Sequence, residues 1–189
     1  MEKSKIRVIT LTAMLSVLVI ILQYMGSFIR FGTFSVSLVL LPIIVGAAMC
    51  GIGAGMWLGF VFGVAVFISG DAAVFLSVNF VGTIVTVLLK GVACGAAAGI
   101  VYKFAEKWGR FKAVMLAAVV CPIVNTAVFI MGCFAFFFDA ITKWGAAESS
   151  VGPVGYIFLF LVGGNFIFEL LSNLLLSPAV VRVLTTVKK

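Results

Sequence analysis

The stretch FLFLVGGNFIFELLSNLLL, residues 158–176, sets Glu169 near the middle of a long apolar run, and FVGTIVTVLLKGVACGAAAGIVY, residues 80–102, does the same with Lys90. An ionised side chain at the centre of a bilayer costs at least roughly 2.5–3.5 kcal/mol. Chains keep such groups where they pair with each other, face a water-filled cavity or bind something. The two stretches together predict membrane-crossing helices around a polar interior site.

The composition points the same way. Of 189 residues, 64% are hydrophobic and only 10% are charged, too few charges to cover a soluble domain. The apolar runs are continuous and too long for the alternating strands of a membrane β-barrel. The expected fold is therefore all-α: a single compact transmembrane domain over residues 1–189, built as an integral bundle of six transmembrane helices.

Six apolar segments can be drawn, at about 7–25, 34–50, 52–69, 76–102, 111–138 and 155–181. The second and third lie near the lower limit for crossing a core about 30 Å thick; Gly51 and Gly53 join them, and Pro42 is a candidate kink in the second. The first follows a basic start and has no small-x-small cleavage pattern directly after it, so it reads as a retained helix and not a signal peptide. With six spans both termini share a side. That side collects Lys3, Lys5 and Arg7, then Lys103, Lys107, Arg110 and Lys112, then Arg182, Lys188 and Lys189, whereas the opposite side holds Arg30 and Lys143. The positive-inside rule then puts both termini in the cytoplasm. It also accounts for most of the +7 net charge without nucleic acid as a partner. The outer loops are expected at about 26–33, 70–75 and 139–154, the last being the longest polar stretch.

Gly51, Gly55, Gly59 and Gly63 recur every four residues on the third segment, and Gly91, Gly95 and Gly99 do so on the fourth. Such spacing lines small residues along one helix face and permits close backbone approach. The faces serve either internal packing or the docking of another subunit.

Asn165, Glu169, Ser172 and Asn173 share one face of the sixth segment, while the fifth offers Asn125 and Thr126 and the fourth offers Asn79 and Lys90. One reading is a buried Lys90–Glu169 pair that locks two helices. The other is a site for a small polar or anionic molecule, with Phe28, Trp144 and Tyr156 covering an apolar part of it. Each of these aromatics also suits the membrane interface. The four cysteines form no C-x-x-C pair and sit in apolar surroundings, as small hydrophobic residues do.

Several chemistries lack their residues. There is no G-x-x-x-x-G-K-[ST] loop, no H-E-x-x-H and no G-x-S-x-G, and His is absent altogether. Neither an enzyme nor a resident cofactor is expected.

At this point the residues resemble a known family. The ordered set is Leu11–Ser16, Leu40–Ala47, the glycine-rich stretch Gly51–Gly63, Lys90-Gly91 with Gly95, Gly99 and Tyr102, Pro122–Thr126, and Gly164–Glu169. It is similar to the substrate-binding S components of energy-coupling factor (ECF) transporters. The resemblance covers nearly the whole chain and, in the fifth and sixth segments, leans toward the pantothenate-type branch. It implies a prokaryotic cell-membrane protein that captures a vitamin or related micronutrient at the outer face. A membrane coupling (T) subunit and two ATPase subunits would supply the energy. It also implies substrate contacts among Arg30, Asn79, Lys90, Asn125, Trp144, Asn165 and Glu169, with Glu169 orienting Lys90 toward an anion. The family's Ala-x-x-x-Ala docking pattern matches Ala13 to Val17, with Val in place of the second Ala; Thr12 and Ser16 give a small pair one position earlier. A stand-alone small transporter or channel, and a non-transport membrane assembly protein, are the competing readings.

Overall fold

The computed structural model describes residues 2–28, 30–31, 34–35, 38–148 and 152–187. It is helical apart from one antiparallel pairing, β1 (Arg30–Phe31) with β2 (Phe34–Ser35). The helices are α1 (Glu2–Phe28), α2 (Leu40–Cys50), α3 (Ile52–Ile68), α4 (Ala73–Val78), α5 (Phe80–Ala105), α6 (Arg110–Phe136), α7 (Phe138–Glu148), α8 (Pro153–Tyr156) and α9 (Gly164–Val187). A 3-10 turn, Glu106–Trp108, extends α5, and a π-helical stretch, Ile157–Gly163, joins α8 to α9.

Four continuous stretches are long and apolar enough to cross a membrane: Lys5–Phe28, Phe80–Trp108, Arg110–Phe136 and Pro153–Arg182. The second and third apolar segments form shorter helices of 11 and 17 residues. At 1.5 Å per residue these reach about 16 and 25 Å, against a core of about 30 Å. The limit between them is Gly51, whose φ of 92° ends α2 and starts α3. Only glycine takes that conformation without strain. Pro42 falls in the first turn of α2, where its missing N–H breaks no helical bond, so the expected kink has no cause there. α2 is a core helix, with Leu40, Pro42, Ile43, Ile44, Gly46, Ala47 and Ala48 all buried.

Two loop expectations need correction. Of the expected 70–75 loop, residues 73–75 are helical and open α4. Most of the expected 139–154 loop is α7, which buries Ile141 and sets Trp144 against Phe75. The polar residues of this stretch belong to an amphipathic helix, with Asp139 in the first turn, where the helix dipole favours a negative charge.

The glycine faces are mated with each other. A Cβ on Gly59 would collide with the carbonyl oxygen of Gly91, and one on Gly55 with that of Gly95; additions to Gly91 and Gly95 would strike Gly59 and Gly55 in return. α3 and α5 therefore run antiparallel with their backbones in contact. In lipid, where apolar tails remove the usual hydrophobic drive between helices, such close packing is a main source of association energy. These faces are consumed inside the bundle and are not open to a partner subunit.

The buried apolar residues form two clusters. The larger joins Val19 of α1, Leu40, Ile43 and Ile44 of α2, Leu58 and Phe62 of α3, Cys94 and Ala98 of α5, and Val114 and Cys121 of α6. The smaller, near α7, holds Cys133, Phe137, Ile141, Tyr156, Ile157 and Val162. The polar site lies between them.

Gly59→Val or Gly91→Val should destabilise the protein by about 1–3 kcal/mol or more, since overpacking here meets backbone and not a movable side chain. Gly53→Ala, where an added Cβ meets nothing within 4 Å, should be neutral or slightly stabilising. Thermal unfolding of the detergent-solubilised variants checks both, and equal melting of Gly59→Val and Gly53→Ala would contradict the mated-face account.

Candidate functional site

Asn79 fixes the start of α5. Its backbone is extended, and its side-chain oxygen accepts a 2.9 Å hydrogen bond from the Gly82 N–H, satisfying one of the free donors at the helix start. From that start Thr83, Thr86 (with Val87) and Lys90 follow at helical spacing on one face. α6 presents Asn125, Thr126 and Phe129; the π-helical stretch and α9 present Val162, Asn165 and Glu169. These faces surround a partly open cavity of about 170 Å³. Gln23 of α1, Phe62 and Val66 of α3, Asp71 of the α3–α4 turn, and Phe75 of α4 complete much of the wall.

Glu169 is 2% exposed, Asn125 5% and Thr86 4%, so these groups have left water and must be satisfied within the protein or by an occupant. Asn125 of α6 and Asn165 of α9 line the same cavity as Glu169. Glu169 Oε2, Asn125 Oδ1, Asn165 Oδ1 and Thr86 Oγ1 are buried and have no hydrogen-bond partner among the described residues.

Lys90 lines the same cavity. Its Nζ lies 5.4 Å from the ring centroids of both Phe62 and Phe129, within range for cation–π attraction from two sides. Glu169 adds an attractive field across the cavity. Glu169 Oε2 has no hydrogen-bond partner among the described residues, Lys90 included, so the closed locking pair that their positions in sequence allow is not made through this atom.

At the mouth, Gln23 Nε2 donates to Asp71 Oδ2 at 2.7 Å and to Ser69 Oγ at 3.3 Å, tying α1 to the turn after α3. Phe75 makes edge-to-face contacts with Phe129, Phe137 and Trp144 at centroid distances of 5.6, 5.0 and 5.8 Å.

The structure thus brings Lys90, Asn125, Asn165 and Glu169 around one cavity. Asn79 does not line it but caps α5, and Trp144 reaches it only through Phe75. Arg30 lies in β1, and its side chain falls outside the described residues. Of the other aromatics, Phe28 is 74% exposed and Tyr156 is buried against Phe160. Sequence reasoning missed Gln23, Asp71, Thr83, Thr86 and the phenylalanines. The two threonines had a usable signal, their helical spacing from Lys90.

A second hollow, of about 550 Å³, lies between α1 and α3 and is lined by Val8, Ile9, Thr12, Ala13, Ser16, Cys50, Ala54 and Trp57. Trp57 Nε1 donates to Ser16 Oγ at 3.2 Å, and Ser16 Oγ donates to the Thr12 carbonyl at 2.8 Å. Ala13 and Ser16 face this groove, whereas Val17 is 57% exposed beside it.

In comparisons with known proteins, the family model for the ECF transporter substrate-specific component matches residues 7–184. No curated protein and no solved structure matches the chain.

Gln23→Leu removes both mouth hydrogen bonds, one of them to a carboxylate, and should lower stability by about 1.5–3 kcal/mol. Thermal unfolding in detergent measures it; unchanged melting would mean that water replaces Gln23 at no cost.

Proposed function

This chain belongs to the family of ECF transporter substrate-specific components, and on that premise we propose that its buried cavity captures a water-soluble vitamin or vitamin precursor for ATP-driven uptake. Membership of this family carries the general role of small-molecule capture for an ECF coupling and ATPase module. The observation that best supports assigning the capture to this cavity is its set of buried polar groups with open hydrogen-bonding positions, drawn from α5, α6 and α9. Such groups are expensive in a membrane interior unless an occupant or water meets them.

Six spans with both termini cytoplasmic remain the topology we propose, with α2 and α3 together forming a short hairpin in the bundle. The basic residues Lys103, Lys107, Arg110 and Lys112 cluster around the α5–α6 turn, far along both helices from Lys90 and Asn125. With that rim in the cytoplasm the cavity faces the outer half of a prokaryotic cell membrane. The compound to test first is pantothenate: its carboxylate is suited to Lys90 or Arg30, and its hydroxyls and amide to Asn125 and Asn165. The groove around Ala13 and Ser16, flanked by Val17, is the proposed seat of the coupling subunit. Its small residues leave room for a close helix approach.

A thermal-shift screen of the purified protein against water-soluble vitamins and their precursors tests the capture. A ligand at a hundredfold excess over its Kd stabilises the folded state by about 2.7 kcal/mol. For an anionic ligand, Lys90→Ala should weaken binding about tenfold to a hundredfold. Binding that survives both Lys90→Ala and Arg30→Ala would remove charge pairing from the account. Ala13→Trp fills the groove and should cut uptake in liposomes containing the coupling and ATPase subunits by about tenfold or more, with ligand affinity kept within about twofold. Normal uptake by this variant would move the docking surface elsewhere.

A further inference from the structure

The open atoms of the cavity are not a mixture. Glu169 Oε2, Asn125 Oδ1 and Asn165 Oδ1 are all acceptors, and Thr86 Oγ1 can accept as well as donate. The three acceptors come from two neighbouring elements, Asn125 from α6 and Asn165 and Glu169 from α9, and line one cavity, so the unmet acceptors form a common wall. The donor is on another wall: Lys90 on α5, held between Phe62 and Phe129.

We propose that the ligand binds with a fixed polarity, its hydrogen-bond donors meeting an acceptor wall made by Glu169, Asn125 and Asn165, and its acceptor or anionic end meeting Lys90. The proposal rests on the capture reading above and narrows it. The ligand class is a small molecule with at least two O–H or N–H donors close together at one end, such as a diol, a hydroxy-amide, or a ring bearing hydroxyl or amino groups. A bare carboxylate without donors satisfies Lys90 but leaves three buried acceptors unmet, which the site penalises. Glu169 is then a specificity-determining contact to the ligand.

The test uses the full-length protein in detergent with pantothenate, its di-O-methyl ether, pyridoxine and nicotinate as probes, and with Glu169→Gln and Glu169→Leu as variants. Affinity is read by calorimetry and folding by ligand-free melting. The expected result is that a donor-bearing probe, pantothenate or pyridoxine, binds best. Nicotinate, which has no donor at neutral pH, should bind at least about a hundredfold more weakly. If pantothenate is the ligand, its di-O-methyl ether should lose about tenfold or more. Glu169→Gln, which replaces one acceptor oxygen of the wall by an NH2 donor, should weaken the preferred probe about tenfold. Glu169→Leu should weaken it about a hundredfold, both variants staying folded. Preference for nicotinate, or unchanged affinity in both folded variants, overturns the proposal and leaves the capture reading standing. Failure of folded wild-type protein to bind any of these probes or the wider vitamin panel overturns the capture reading and this proposal with it.

Discussion

The backbone contact between α3 and α5 sets the geometry on which the site depends. Gly55 and Gly59 meet Gly95 and Gly91 so closely that no side chain fits between them. The contact fixes not only the distance between the helices but their register. Lys90 directly precedes Gly91, so the same contact that joins the helices brings its ammonium to Phe62 of α3. A lysine in an apolar run needs a defined electrostatic environment, and here part of that environment comes from a neighbouring helix held at minimum distance. Without the glycines α5 would stand off by the width of a side chain, and Lys90 would lose one of its two aromatic faces.

The opposite wall uses irregular helix where the first uses close packing. Pro122 sits inside α6, three residues before Asn125, and deprives the helix of one internal hydrogen bond. The π-helical stretch Ile157–Gly163 ends just before α9 and Asn165. Local departures of this kind re-aim side chains by a fraction of a turn and recur near functional sites. Here both lie within one or two turns of Asn125 and Asn165, which line the cavity with Glu169. The site is thus framed by a rigid seam on one side and by helices with relaxed backbone bonding on the other.

Much of this was legible in sequence. Lys90, Glu169, Asn125 and Asn165 stood out because amides and charges in long apolar runs are expensive wherever they end up, and helical periodicity already put Asn165 and Glu169 on one face. The four-residue glycine spacing identified a close-packing face, though spacing alone could not say that the two faces meet each other. The rest depended on tertiary contact. Gln23 lies toward the end of α1, where a polar residue reads as an interfacial one, and only the fold brings Asp71 to it. Phe62, Phe75 and Phe129 were invisible among nineteen phenylalanines. Residues 139–148 read as loop because their polar side chains were counted without noticing that Ile141 and Trp144 lie three apart, as an inward helix face requires. The division of the expected second and third spans was marked at Gly51, but the length of α2 was overestimated because its apolar lead-in was counted as helix.

The remaining asymmetry concerns α1. Only 11% of its most apolar window is buried, against 39% for the corresponding window of α5. In a soluble protein such a helix would be an aggregation hazard; in lipid, exposed Ile9, Met14, Leu18 and Ile21 face a solvent as apolar as themselves. What holds α1 to the bundle is therefore one narrow buried stripe, Val19 with Leu15 and Leu22 against the larger cluster, together with two polar contacts: Trp57 on Ser16 near its middle, and Gln23 on Asp71 and Ser69 toward its C-terminal end. The first polar contact lies in the groove beside Ala13, the second in the wall of the cavity. α1 and α3 thus both touch the two hollows, and the polar contacts between the groove and the cavity run along the same helix whose outer face is given over to lipid.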